Sequence, residues 1–172
     1  MTATCWILRH AKATPDQRGL AGDFDRPLTE LGLRQARALG ATVAGSPELL
    51  EGLVRPEVVL CSPARRTAQT AAAFLDAVGW SVPVEMVDPF YEADVATVLH
   101  EFTGHPGVTS ALVVGHQPWV GWLREDLLAA PERAERTTTV CSLAVVTQEV
   151  ADLAALSPGQ GHLAALIPKL LR

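Results

Sequence analysis

Short apolar runs recur along the chain and alternate with segments whose apolar residues follow helical spacing. A continuous apolar run of about four to eight residues between turn signals is typical of a buried strand. We predict strands at residues 4–8, 57–61, 82–87, 110–114, 140–147 and 162–167. Helices are predicted between them, over residues 30–44, 63–78, 94–102 and 118–128.

Capping signals mark where these helices begin and end. Thr29 is a good N-cap for the first helix, which Gly45-Ser46-Pro47 should stop. Ser62 followed by Pro63 predicts the start of the second helix, with the serine as its N-cap. Strands alternating with helices indicate an α/β fold with a largely parallel sheet. The 172 residues are expected to form one domain, residues 1–172.

Polar segments directly follow three of the predicted strands: Arg9-His10, residues 62–70 and residues 115–118. Ligands of open α/β sheets bind outside the carboxyl ends of the strands, so these segments should meet at one edge. Arginines, histidines and helix N-termini together supply the donors that bind phosphate. A histidine there can attack phosphorus if one ring nitrogen is unprotonated while the other donates, for example to a backbone carbonyl.

Composition and charge narrow the function classes. Hydrophobic residues make up 48% of the chain and charged residues 19%, which is typical of a folded globular protein. The net charge of −5 predicts no general affinity for nucleic acid. No signal peptide and no apolar run of about 18 residues is visible, so no membrane association is expected. Cys5, Cys61 and Cys141 match no zinc spacing and are interpreted as buried thiols of a cytoplasmic protein.

Four segments together resemble the histidine phosphatase superfamily, which includes the phosphoglycerate mutases. They are LRHAK at 8–12, RPLTELG at 26–32, SPARRTAQT at 62–70 and VGHQP at 114–118. The Arg-His-Ala-Lys variant and the short chain resemble the SixA-type branch, the phosphohistidine phosphatases. The resemblance implies a three-layer α/β/α fold of phosphoglycerate mutase type with a mostly parallel central sheet. It also implies a metal-independent phosphatase that needs no cofactor.

The same resemblance assigns roles to residues of this chain. It implies that His10 is the nucleophile, Arg9 and Arg66 bind the phosphoryl group, and His116 donates hydrogen bonds to the phosphoryl oxygens. Arg65, next to the second arginine, is interpreted as a surface charge. The roles of Lys12 and Asp16, close to the nucleophile in sequence, stay open.

The mutase branch that the chain resembles carries its general acid, a glutamate, after the third strand. The resemblance therefore implies a general acid in the Tyr-Glu-Ala-Asp segment at residues 91–94, with Glu92 preferred and Asp94 second. An alkoxide leaving group needs a proton, whereas an imidazole, with a pKa near ~6.5, leaves far more easily. A site with a weak acid would therefore favour phosphohistidine, acyl phosphates or aryl phosphates over alkyl phosphates.

The leading hypothesis is a phosphatase that acts on phosphohistidine in proteins. Two alternative functions stay open. One is a phosphomonoesterase of the same fold that acts on a small phosphorylated metabolite. The other is a module that recognises phosphorylated partners without turnover, which the intact set of His10, Arg9, Arg66 and His116 disfavours. A metal-dependent hydrolase is not expected, since no histidine or carboxylate cluster at metal-ligand spacing accompanies His10 or His116.

Overall fold

A six-stranded sheet organises the molecule. The computed structural model describes residues 1–15, 22–130 and 138–171. The strands are β1 (Ala3–Arg9), β2 (Val58–Cys61), β3 (Val84–Met86), β4 (Ser110–Gly115), β5 (Leu143–Gln148) and β6 (His162–Ile167). Their order across the sheet is β3-β2-β4-β1-β5-β6. The first four are mutually parallel, whereas β5 and β6 are antiparallel to their neighbours, which confirms a mostly parallel sheet.

Helices cover both faces of this sheet. They are α1 (Glu30–Gly45), α2 (Pro47–Leu50), α3 (Arg65–Val78), α4 (Val95–Thr103) and α5 (Trp119–Leu127), with 3-10 turns at Asp88–Tyr91 and Leu153–Ala155. Side chains alternate along a strand, so β1 serves two cores. Trp6 and Leu8 join the core under α1 and α3, while Cys5 and Ile7 join the core under α4 and α5. The predicted three-layer α/β/α architecture is confirmed.

Local signals explain several helix ends. The Thr29 side chain accepts a hydrogen bond from the Gly32 backbone N–H at 3.0 Å and caps α1, as its sequence predicts. Asp94 caps α4 in the same way, accepting from the Thr97 N–H at 2.8 Å. Gly79 ends α3 in the left-handed conformation with φ of 72°.

Several of the predicted boundaries are wrong, and two of them lie next to the site. Helix α3 begins at Arg65 with Ala64 as its N-cap, and Ser62 does not cap it, because the serine side chain bonds elsewhere. Strand β5 begins at Leu143 rather than at residue 140. Cys141, placed by its sequence in that strand, instead lies before it with a positive φ of 53°.

The strand register brings the polar segments together. Arg9 pairs with Gly115, and Cys61 pairs with Val114, so β1, β2 and β4 end side by side. The residues that follow these strands are therefore neighbours at one edge of the sheet. Over the described ranges, no helix is both long and apolar enough to cross a membrane.

Candidate active site

His10 is held by its backbone on both sides. Its N–H donates to the Gly115 carbonyl at 3.0 Å, and its carbonyl accepts from the Cys141 N–H at 3.0 Å. Its ring Nδ1 lies 2.7 Å from the Ala11 carbonyl, to which only a protonated nitrogen can donate. The unprotonated nitrogen of the neutral ring is therefore Nε2, and its lone pair is available for attack on phosphorus.

The turn after His10 is clamped onto the two helices of one face. The Ala11 N–H donates to the Thr70 hydroxyl of α3 at 3.0 Å, and the Lys12 N–H donates to the Gln35 side chain of α1 at 3.1 Å. Gly32 permits this approach, because a Cβ there would lie 2.1 Å from the Lys12 carbonyl oxygen. These contacts leave the carbonyl of the buried Ala11 little freedom, so the orientation of the His10 ring is set before a ligand binds.

His116 is the second histidine of the pocket, and only 6% of it is exposed. The centroids of its ring and the His10 ring are 5.3 Å apart. Its Nε2 lies 2.7 Å from the Ser62 hydroxyl, and its Nδ1 is buried without a partner. If the serine O–H donates to Nε2, Nδ1 carries the proton and becomes a donor for an anion.

Two arginines complete the inner part of the pocket. Arg9 donates from Nη1 to the Thr138 carbonyl at 2.6 Å. Arg66 donates from Nη1 to the Asp23 carbonyl at 2.6 Å and from Nη2 to the Asp23 carboxylate at 2.8 Å. We refer to Arg9, His10, Ser62, Arg66 and His116 as the pocket floor.

Buried donors without partners concentrate in this pocket. In the described part of the chain, every buried side-chain nitrogen that lacks a hydrogen-bond partner belongs to Arg9, Arg26, Arg66 or His116. Buried polar groups are normally satisfied, so a cluster of unsatisfied donors points to a ligand that supplies acceptors. An oxyanion such as phosphate has acceptor oxygens in several directions and fits this set.

Burial and the positive charges of the pocket keep its histidines neutral. Burial, together with the charges of Arg66 and Arg9, lowers the pKa of His10 to about 4, against the hydrogen bond to Ala11, which raises it. Burial likewise lowers the pKa of His116 to about 3, with Arg66 adding to the effect. Both rings are therefore neutral at neutral pH, each with one nitrogen free of a proton, and such a nitrogen is what a nucleophile requires.

A second group of side chains surrounds the pocket entrance, and we refer to Asp23, Phe24, Arg26 and Tyr91 as the rim. The Tyr91 hydroxyl donates to the Asp23 carboxylate at 2.9 Å, on the same oxygen that accepts from Arg66. The Arg26 Nε lies 3.1 Å from the other carboxylate oxygen, a close ion pair without hydrogen-bond geometry. The Tyr91 ring stands against both Phe24 and His116, at centroid distances of 5.3 and 5.9 Å.

The structure brings together four of the residues that sequence reasoning singled out: Arg9, His10, Arg66 and His116. Glu92 lies outside these contacts; it is exposed and follows the rim residue Tyr91. Asp94 is occupied as the cap of α4, and its hydrogen bonds to Thr97 hold the pKa of that carboxyl below its ordinary value. Arg65 is exposed, as its interpretation as a surface charge requires, and Asp16 lies outside the described residues.

Sequence reasoning missed the site contacts of Ser62, Asp23 and Tyr91. The sequence predicts Ser62 as a helix cap, although its position directly after a strand, as the first residue of the 62–70 motif, is a signal for the site. Asp23 carries no readable signal, and Tyr91 appears only as part of the segment expected to hold the general acid. Their contact could not be predicted, because they are 68 residues apart in the chain and meet only in the fold. Within residues 1–15, 22–130 and 138–171, no three histidine, cysteine or carboxylate side chains are grouped as a metal site.

A sequence profile of the histidine phosphatase superfamily (branch 1) matches residues 5–100. The chain belongs to this superfamily. It is a phosphatase that uses a histidine nucleophile, and its fold is that of the phosphoglycerate mutase-like histidine phosphatases. The matched residues include the first histidine and both arginines of the pocket floor.

Individual relatives narrow the branch to that of the SixA proteins. The chain is 29% identical to phosphohistidine phosphatase SixA of Escherichia coli (strain K12) over 145 residues, 83% of each chain. A solved structure of the protein histidine phosphatase SixA complexed with tungstate is 28% identical, with a TM-score of 0.76 over 96% of this chain and 97% of that one. The alpha-ribazole phosphatase of Shigella flexneri shares the fold, with a TM-score of 0.64, 17% identity and 98% of each chain covered.

Proposed function

We propose that this protein is a phosphohistidine phosphatase in which His10 Nε2 attacks the phosphoryl group. The observation that carries the proposal is the hydrogen bond from His10 Nδ1 to the Ala11 carbonyl, which directs the free lone pair to Nε2. Around that ring, Arg9, Arg66 and His116 hold buried nitrogens without protein partners. Such preorganised donors stabilise the charge of a transferring phosphoryl group and are usually the largest catalytic contribution.

The proposed reaction has two steps. In the first, the His10 Nε2 lone pair forms a bond to phosphorus, and the bond to the leaving group breaks with its electron pair. In the second, water attacks the phosphorus of phospho-His10, the P–N bond breaks, and its electron pair returns to Nε2. The water supplies the oxygen and protons of inorganic phosphate. Nδ1 keeps its proton on the Ala11 carbonyl throughout, so His10 is regenerated neutral.

The ease with which imidazole departs as a leaving group supports phosphohistidine on a protein as the substrate. An imidazole departs without a strong general acid, and the pocket floor holds no carboxylate. Glu92, which we propose as the acid for poorer leaving groups, is exposed and follows the rim. The similarity to SixA proteins and the tungstate oxyanion bound by one of them support the same substrate class. The free, buried thiols of Cys5, Cys61 and Cys141 support a reducing compartment, and we propose the cytoplasm.

The test compares the wild type with His10→Ala on an aryl phosphate and on a phosphohistidine peptide, with chelator present. We expect turnover and an acid-labile phosphoprotein after rapid quench in the wild type, and at least about a thousandfold loss with no adduct in the variant. His100→Ala is the matched control, because that histidine is exposed at the end of α4. It should retain full activity.

The outcomes separate the alternatives. Turnover of the aryl phosphate without turnover of phosphohistidine would favour a phosphatase of small metabolites. Binding of phosphate without turnover or adduct would favour a recognition module. Glu92→Ala, assayed on an alkyl phosphate and on phosphohistidine, separates leaving groups that need a general acid from those that do not. The variant should lose activity on the alkyl phosphate and keep it on phosphohistidine.

A further inference from the structure

An anion-binding pocket normally excludes carboxylates, yet one stands at the entrance of this pocket. The Asp23 side chain accepts from Arg66 and Tyr91 on one oxygen and lies 3.1 Å from Arg26 on the other. Partial burial alone would raise the pKa of Asp23, but the hydrogen bond from Tyr91 and the charge of Arg66 outweigh it and lower that pKa. Asp23 is therefore ionised at neutral pH, and its contacts with Arg66 and Tyr91 orient its carboxylate.

The position of this carboxylate relative to the nucleophile is informative. The Arg66 side chain is 6% exposed, whereas the Asp23 side chain is 44% exposed, so Asp23 lies on the solvent side of the arginine. In-line displacement places the leaving group opposite the nucleophile. Because His10 belongs to the pocket floor, the leaving group of a bound phosphoryl ester or amide must point outward, past the rim.

The acceptor capacity of Asp23 is only partly used. An ionised carboxylate offers about four lone-pair sites, and Arg66 and Tyr91 occupy two of them, on the same oxygen. The other oxygen has the Arg26 charge nearby but receives no hydrogen bond from it. It can therefore accept a donor that arrives with the substrate.

We propose that Asp23 selects leaving groups that carry a positively charged N–H, such as the ring of protonated phosphohistidine, over leaving groups without a donor. The unphosphorylated ring nitrogen of the substrate donates its proton in a hydrogen bond to the free oxygen of Asp23. Phenols and alcohols of phosphate monoesters have no such donor. Their oxygen would instead meet a negative charge. This inference deepens the proposed function and rests on it.

The hydrogen bond also assists the chemistry without a proton transfer. As His10 Nε2 bonds to phosphorus, the P–N bond of the substrate breaks and its electron pair goes to the departing nitrogen. The other ring nitrogen already carries its proton, so the leaving imidazole is neutral. Asp23 stabilises the protonated ring before bond cleavage, which is the form with the better leaving group. It is thus a specificity residue, and phosphate is released as before.

The test measures kcat/KM for a phosphohistidine peptide and an aryl phosphate with wild type, Asp23→Asn and Asp25→Asn. The substitution at Asp23 keeps the shape and removes the charge, and we expect about a tenfold fall on phosphohistidine. Activity on the aryl phosphate should stay constant or rise, because Arg66 is released from its carboxylate. Asp25 is exposed in the same turn, so its variant makes the same charge change and should leave the ratio of the two substrates unchanged.

Tyr91→Phe is the second variant, since it removes the hydroxyl that holds Asp23 and keeps the ring beside His116. The substrate ratio should shift in the same direction as in Asp23→Asn, by a smaller factor. An equal change on both substrates in Asp23→Asn, or an equal shift of the ratio in Asp25→Asn, would overturn the inference and leave the proposed function intact. A wild type that cleaves the aryl phosphate but not phosphohistidine would overturn both.

Discussion

The pocket floor and the rim keep their side chains in place by different means. On the floor, the His10 backbone bonds to the last residue of β4 and to a residue just before β5, and His116 and Arg66 are buried. On the rim, Asp23 and Tyr91 are tied mainly to each other and to Arg66 by side-chain contacts, and the Asp23 side chain is almost half exposed. The floor is therefore anchored to the sheet edge and to the start of α3, whereas the rim is a contact between loop and turn residues.

This difference suggests how the chemistry is divided. Groups that must be prepositioned for phosphoryl transfer lie where backbone hydrogen bonds and burial make them rigid. Groups that meet variable substrates lie where a few side-chain bonds can rearrange. Substitutions on the floor should therefore impair every substrate, and substitutions on the rim should change the ratio between substrates.

Among tests of the contrast between floor and rim, we expect the largest loss of activity from a substitution at Arg66. Arg66→Lys keeps the charge but loses the planar, bidentate donors, so kcat/KM should fall about a hundredfold on aryl phosphate and phosphohistidine alike. Steady-state kinetics on both substrates measure it. Arg65→Lys makes the same change one residue earlier at an exposed position and should have no effect. Equal losses in the two variants would contradict the placement of Arg66 on the floor.

A smaller loss is expected at Ser62, which contacts His116 rather than the substrate. Ser62→Ala removes the hydroxyl partner of His116 Nε2 and leaves a buried nitrogen unsatisfied. We expect kcat to fall about tenfold on both substrates. Nitrogen NMR of the ring distinguishes positioning from mere destabilisation. The wild type should show one tautomer protonated at Nδ1 and the variant a mixture. Unchanged tautomers would count against a positioning role.

The smallest effect is a titration that should not occur. A base with a lowered pKa stays neutral until the pH falls to that pKa, so His10 and His116 should take up protons only near about 4 and 3. Their ring proton shifts, followed by NMR, should stay constant between about pH 5.5 and 8. A titration midpoint of about 6.5 for either ring would contradict the burial of the floor, because it is the pKa of an imidazole exposed to water.

His105 is the internal reference for that titration. Burial alone would lower the pKa of His105, but its hydrogen bonds to the Glu101 carbonyl and to Glu85 outweigh burial and raise it. Its ring shifts should therefore move within the range in which His10 and His116 stay constant. The midpoint should lie above the ordinary value of about 6.5.

Local signals in the sequence predicted much of the fold. Thr29, Gly79 and the apolar run at residues 110–114 act through neighbours in the chain, so their effects are readable from spacing and residue type. Ser62 was misread because its hydroxyl has two possible partners. The local one is a helix N-terminus, and the one it takes is His116, 54 residues away. Propensity describes only the local choice.

The sequence by itself determined the order of strands and helices, the phosphate-binding motifs and the identity of Arg9, His10, Arg66 and His116 as candidates. The element order follows from residue type at short spacing, and the four candidates follow from the motifs that resemble the histidine phosphatase superfamily. Only the tertiary structure decided which nitrogen of His10 is free, how Ser62 supports His116, and that Asp23 and Tyr91 form a rim. Those features depend on contacts between residues far apart in the chain, whose distances are set by strand register and helix packing.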